Sequence, residues 1–183
     1  EGRIMTPFAS QVDPSHPLPE YPRPQLERAT WENLNGLWDY AISFRMQDEM
    51  PATADGQILV PFAIESALSG VGKKVGPDHK LWYRRSFDVP ASWKGRRTIL
   101  HFGAVDWETT VWVNGVKVGT HQGGYDAFSF DITDYLNASD HQQLVVGVWD
   151  PTDEGTQPRG KQVNSPNGIW YTSVTGIWQT VWL

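Results

Sequence analysis

Cysteine is absent from all 183 residues, which removes disulfide scaffolds, zinc ribbons, thiol redox chemistry and cysteine-protease mechanisms together. A basic run is absent as well. Fifteen Lys and Arg stand against 21 Asp and Glu, a formal charge of −6, so neither a broad phosphate-binding face nor nucleic acid as a partner is expected. The longest apolar runs hold a few residues, far short of the ~20 that a bilayer-crossing helix needs, and no membrane span is expected. No basic-then-apolar leader follows Glu1; a cleaved export signal and a chain cut from a longer one both fit. Nor is there a Gly-x-Ser-x-Gly elbow, a phosphate loop or a dinucleotide fingerprint. The five histidines, His16, His79, His101, His121 and His141, lack metal-ligand spacing. No cofactor or metal site is called for, and no calcium loop of known ligand spacing is present.

What remains is an ordinary globular composition, 39% hydrophobic and 20% charged, in a chain long enough to bury roughly 70% of its unfolded surface without a staple. Tryptophan is the outlier, at ten residues. Six of the 13 prolines, Pro7, Pro14, Pro17, Pro19, Pro22 and Pro24, fall in the first 30 residues. That segment reads as an extended lead-in, because proline fixes φ and offers no donor to a sheet. Thr30, ahead of Trp31, Glu32 and Asn33, reads as the cap of a single helical turn.

Beyond it the period is two. Strands are expected near Gly36–Phe44, Gln57–Pro61, Leu81–Val89, Arg97–Phe102, Glu108–Val113, Val116–His121, Ala127–Asp131, Gln143–Trp149 and Ile177–Leu183, each rich in Val, Ile and aromatics and bounded by turn formers. Asn114-Gly115 between two of them predicts a type I′ hairpin. Nine short strands imply an all-β, two-sheet sandwich with Greek-key or jelly-roll connections. The chain stops on an alternating strand with no polar tail, as a piece of a longer polypeptide would.

Two connections, 63–80 and 150–176, are long for such a fold, and loops of this length tend to carry function. The second mixes Arg159, Lys161, Asn164, Trp170 and Tyr171, groups suited to polyhydroxylated ligands, though a solvated loop with Trp170 tucked beneath it explains the composition equally well. Paired carboxylates for glycoside hydrolysis are not persuasive. Asp131 and Asp134 lie at a strand end where aspartates cap and turn, and Asp150, Asp153 and Glu154 sit in a polar loop. Most tryptophans, Trp38, Trp112, Trp149, Trp178 and Trp182, fall in strands and read as packing or interface residues. Trp82, Trp107 and Trp170 lie in or beside connections and are the better candidates to stack on a pyranose.

The ordered set Leu81-Trp82-Tyr83-Arg84-Arg85-Ser86-Phe87, Phe102-Gly103-Ala104-Val105-Asp106-Trp107-Glu108, Val111-Trp112-Val113-Asn114-Gly115, Gly123-Gly124-Tyr125, Phe128-Ser129-Phe130-Asp131 and Thr175-Gly176-Ile177-Trp178-Gln179 resembles the N-terminal sugar-binding domain of glycoside hydrolase family 2, over roughly residues 31 to 183. The resemblance implies a galactose-binding-domain-like jelly-roll sandwich, non-catalytic, followed in the whole enzyme by an immunoglobulin-like sandwich and a (β/α)₈ barrel. In the family both catalytic glutamates belong to the barrel, and a barrel alone takes about 250 residues. This chain holds no Asn-Glu dipeptide and no catalytic residue is assigned. Partners implied are a β-glycoside substrate and the downstream domains, and export to the periplasm or beyond is expected. Family members also send loops of this domain to the rim of the barrel pocket. By position the rim candidates are Asp78 and His79, then Arg159, Lys161, Trp170 and Tyr171. Some members place an aspartate six residues before the glycine matching Gly176; here that position is Trp170, so stacking replaces a hydrogen bond. A stand-alone carbohydrate-binding module or lectin is the competing reading.

Overall fold

The computed structural model describes residues 5–139 and 141–183. Among the described residues eleven strands form an antiparallel sandwich: β1 (Gly36–Phe44), β2 (Gly56–Val60), β3 (His79–Asp88), β4 (Ile99–Phe102), β5 (Val105–Asp106), β6 (Glu108–Val113), β7 (Val116–Gln122), β8 (Phe128–Asp131), β9 (His141–Trp149), β10 (Gly176–Ile177) and β11 (Val181–Trp182). Six of them make a large sheet in the order β2-β1-β3-β9-β6-β7, faced by a three-stranded sheet β11-β4-β8 and a two-stranded ladder β10-β5. This is the all-β sandwich expected from the alternation, and the jelly roll that the family resemblance implies.

Alternation builds the core directly. In β6, Thr109, Val111 and Val113 are buried while Glu108, Thr110 and Trp112 are not, as successive side chains leave opposite faces of a pleat. In β4, Leu100 and Phe102 point inward, with Ile99 and His101 outward. The inward set of the large sheet, including Trp38, Tyr83, Val146 and Val148, closes with Leu100, Phe102, Ile177 and Val181 into one cluster. The hairpin between β6 and β7 turns on Asn114 (φ 51°) and Gly115 (φ 79°), the positive pair that a type I′ turn demands. The Asn114 amide also donates to the Tyr135 carbonyl and to Gln142 Oε1, which fixes the turn to the rest of the sheet.

Three expectations are corrected. No helical turn follows Thr30. The Glu32 and Leu183 backbones exchange hydrogen bonds of 3.0 and 2.9 Å, and the Leu34 N–H donates to the Val181 carbonyl, so long-range pairing has taken the groups a local turn would use. The single strand expected at Ile177–Leu183 is two, β10 and β11, in different sheets. Between them the Trp178 N–H donates to the Ala104 carbonyl and its indole Nε1 to the Gly124 carbonyl, which takes the chain from one ladder to the next. Trp82 is not available to a ligand: it is fully buried. It lies on the face of the large sheet opposite the core, where Gly147 leaves room; a Cβ there would stand 2.9 Å from the indole. Trp112 covers it at 5.5 Å between ring centroids, and the Trp82 Nε1 donates to Ser43 Oγ.

Candidate functional site

The 150–175 connection leaves the end of β9 and contains no strand of its own, yet it is held in place from below. Three carboxyl groups do this. Asp150, 2% exposed, accepts from the Thr152 N–H at 2.7 Å and from the Thr175 hydroxyl at 2.8 Å. Glu65, from the 61–78 connection, accepts from the Ser173 hydroxyl at 2.9 Å and the Thr175 N–H at 3.0 Å. Asp106, 4% exposed and at the end of β5, accepts from Gln162 Nε2 at 3.2 Å. Its carboxyl packs on Gly124, where any Cβ would sit 2.6 Å from Cγ. Gln162 spends its whole amide on the network: Nε2 also reaches the Tyr125 hydroxyl at 3.3 Å, and Oε1 accepts from the Val174 N–H at 2.6 Å.

Burial of charge has a predictable consequence here. Burial, then the neighbouring Asp150 charge, pushes Asp106 up to about 7, against the partial opposition of the Gln162 bond. Burial likewise raises Asp150 and Glu65, each opposed by the hydrogen bonds it accepts. These acids are braces beneath the loop. Tyr83, fully buried, accepts from the Ile177 N–H at 3.1 Å and completes the floor.

Above the floor stand aromatics. Tyr171 and Lys161 are tied together: the Tyr171 N–H donates to the Lys161 carbonyl at 3.0 Å, and the Val163 N–H to the Tyr171 carbonyl at 2.9 Å. Gly160 adopts φ +62°, and a Cβ there would lie 3.3 Å from both the Tyr125 and the Tyr171 hydroxyl. The two phenols therefore converge over one glycine. Trp170 is 39% exposed, Tyr171 51% and Tyr125 53%. The Arg159 guanidinium sits 5.5 Å over the Trp170 ring and donates to the Gln162 carbonyl at 3.1 Å, so Arg159 serves as a strut that positions the indole. An aromatic ridge with two converging hydroxyls can stack on the apolar face of a sugar and bond its hydroxyls.

Of the sequence-derived candidates, Arg159, Lys161, Trp170 and Tyr171 come together in this ridge. Asp78 and His79 do not join it: among the described residues no hydrogen bond, ion pair or ring contact links them to those four. His79 is already the first residue of β3, opposite Phe44, whose ring it stacks on at 5.5 Å; the Asp78 carbonyl accepts from the Arg45 N–H. Both stand at the end of the large sheet from which the 150–175 connection departs, where Trp149 Nε1 donates to the neighbouring Pro77 carbonyl at 2.7 Å. Trp107 is half-buried. Sequence reasoning missed Tyr125, Gln162, Asp106 and Glu65. The signal for Tyr125 and Asp106 was the Gly123-Gly124 pair, since Gly124 leaves the space that the Asp106 carboxyl occupies. Gln162 and Glu65 carried none.

A jelly-roll sandwich with a braced, aromatic loop at one end is the architectural class to which the chain belongs. Residues 44–183 match the family described as glycosyl hydrolases family 2, sugar binding domain, and the chain belongs to that family. Among relatives, it is 36% identical over 103 residues to a β-galactosidase of Thermoanaerobacter pseudethanolicus, covering 56% of this chain and 13% of that one. It is 30% identical over 161 residues to a β-galactosidase of Bacteroides ovatus, covering 82% and 17%. A β-glucuronidase of Paenibacillus borealis is 28% identical over 146 residues, covering 77% and 24%. The chain thus spans between 13% and 24% of the length of these relatives. Among solved structures, a Lactobacillus rhamnosus β-glucuronidase superposes with a TM-score of 0.66 at 24% identity, covering 86% of this chain and 29% of that one, which agrees on the fold.

Proposed function

We propose that the chain is the non-catalytic sugar-binding sandwich of a larger retaining β-glycosidase, acting on O-glycosyl bonds of a β-galactoside or β-glucuronide. In this reading the 150–175 ridge forms part of the rim of a sugar pocket whose catalytic carboxyls lie on other domains of the same polypeptide. Support comes from the names of the relatives and from the small share of their length that this chain covers. The observation that carries the rim role is the convergence of Tyr125 and Tyr171 over Gly160, beside an indole fixed by Arg159. Asp78 and His79, at the same end of the large sheet, are assigned an outer position on that rim.

The test uses the full-length enzyme and the isolated chain in parallel. Trp170→Ala in the full-length enzyme lowers kcat/KM by about tenfold or more, equivalent to ~1.4 kcal/mol of transition-state binding, with the folding transition unchanged. The 183-residue chain alone leaves nitrophenyl β-glycosides intact. Hydrolysis by the isolated chain, lost on changing one of its own acids, overturns the reading. The exposure of Tyr125, Trp170 and Tyr171 favours a second one, a stand-alone carbohydrate-binding module. Titration calorimetry separates the two: sub-millimolar binding of a neutral sugar to the isolated chain, abolished by Trp170→Ala, selects the module.

A further inference from the structure

A chain with six more acidic than basic residues and no basic run nevertheless gathers four arginines around a cleft. Its floor is the outward face of the three-stranded sheet, where Ser129, His101 and Trp182 stand side by side across β8, β4 and β11. One wall is the lead-in, residues 21–31, and the other is the turn before β4, residues 93–98. The space between them is about 740 Å³, in the range of small-molecule sites and large enough for a short oligosaccharide.

Four arginines line it, Arg23, Arg28, Arg96 and Arg97, and among the described residues no Asp or Glu does. Arg97 is paired with Asp131 at 2.7 Å. Among the described residues Arg23, Arg28 and Arg96 have no carboxylate partner; Arg23 lies 6.0 Å over the Trp182 ring. The field reaches the floor: burial, then Arg23 and Arg28, hold His101 below the usual histidine range, and its ring stacks on Trp182 at 4.8 Å. Trp31 and Trp93 stand half-exposed on the two walls.

Unpaired guanidinium groups in one cleft match carboxylate or sulfate groups, to which Arg donates in parallel pairs, and half-exposed indoles match the apolar face of a pyranose ring. We propose that this cleft is a binding site for an anionic saccharide, a short oligosaccharide bearing carboxylate or sulfate groups. A nucleic acid suits the site less well, because the remainder of a net acidic chain would repel an extended polyanion. The proposal shares no residue with the 150–175 ridge and does not depend on the rim role.

The isolated chain is titrated by calorimetry with a uronate disaccharide, a sulfated uronate disaccharide and lactose, while indole N–H resonances are followed by NMR. The expected result is binding of the charged sugars at least about tenfold tighter than lactose, shifts in the resonances assigned through Trp31→Phe and Trp93→Phe, and loss of binding as added salt shortens the Debye length from about 10 to about 3 Å. Which charged disaccharide binds tighter identifies carboxylate or sulfate as the recognised group. Arg28→Ala with Arg96→Ala, two exposed side chains without partners, abolishes binding and leaves the melting temperature in place. Equal affinity for lactose, absence of binding by both charged sugars, insensitivity to the double substitution, or tighter binding of an oligothymidylate would each overturn the proposal.

Discussion

Replacing Asp106 by asparagine tests whether buried acids brace the 150–175 loop. The unfolded chain releases the Asp106 proton near pH 3.8, and the folded protein holds it until about pH 7. A carboxyl raised in the folded state favours folding while it stays protonated, and stability falls as pH rises from the unfolded value to the folded one. Within that window each pH unit removes up to about 1.4 kcal/mol, so that between about pH 5 and about pH 8 Asp106 alone removes roughly 2.5 kcal/mol. That is a large part of the ~5–15 kcal/mol that holds a domain together. Asp150 and Glu65 are raised in the same direction and add to the slope. Asparagine keeps the shape and an oxygen for the Gln162 amide while removing the charge. Urea unfolding followed across that pH range should show the wild-type midpoint falling and the Asp106→Asn midpoint falling less steeply, by the Asp106 share, while Asp150 and Glu65 keep a residual slope; the variant is the more stable at the alkaline end. A wild-type midpoint that does not fall, or a variant with an unchanged slope, refutes the account of these acids as buried braces.

Gly176 adopts φ +89°, and a Cβ there would stand 2.0 Å from the Tyr83 hydroxyl. Gly176→Ala therefore displaces Tyr83 from the Ile177 N–H and should cost about 2 kcal/mol or more, read as a lowered melting temperature. Ala introduced at Gly70, where nothing lies within 4 Å but φ is +79°, should cost less and separates strain from collision. Trp82→Ala empties a fully buried site over Gly147 and should cost about 3–5 kcal/mol by denaturant unfolding. A loss under 1 kcal/mol would mean that Trp82 is more accessible than its burial implies.

The strand set was legible because alternation is a local property: Glu108 to Val113 announces its buried and open faces without reference to any other segment. The hairpin at Asn114-Gly115 was legible for the same reason. The helical turn after Thr30 was misread because its backbone groups pair with residues near Leu183, a distant competitor that a local capping signal does not reveal. Trp82 was misread because its fate depends on Gly147 and Trp112, which approach it only through the sheet register. Half of the ridge was visible in the composition of the 150–175 connection; its supports, Asp106, Gln162 and Glu65, lie far apart in the chain.

The order of side chains by itself determined a cysteine-free, all-β chain with one aromatic-rich loop, since those features follow from residue type and a period of two. Only the tertiary structure decided which acids lose their water, which indole is sealed and which arginines share a cleft. Desolvation and charge depend on distance in space, and Arg23 and Arg96 are neighbours of the same cavity only after the lead-in is laid against the small sheet.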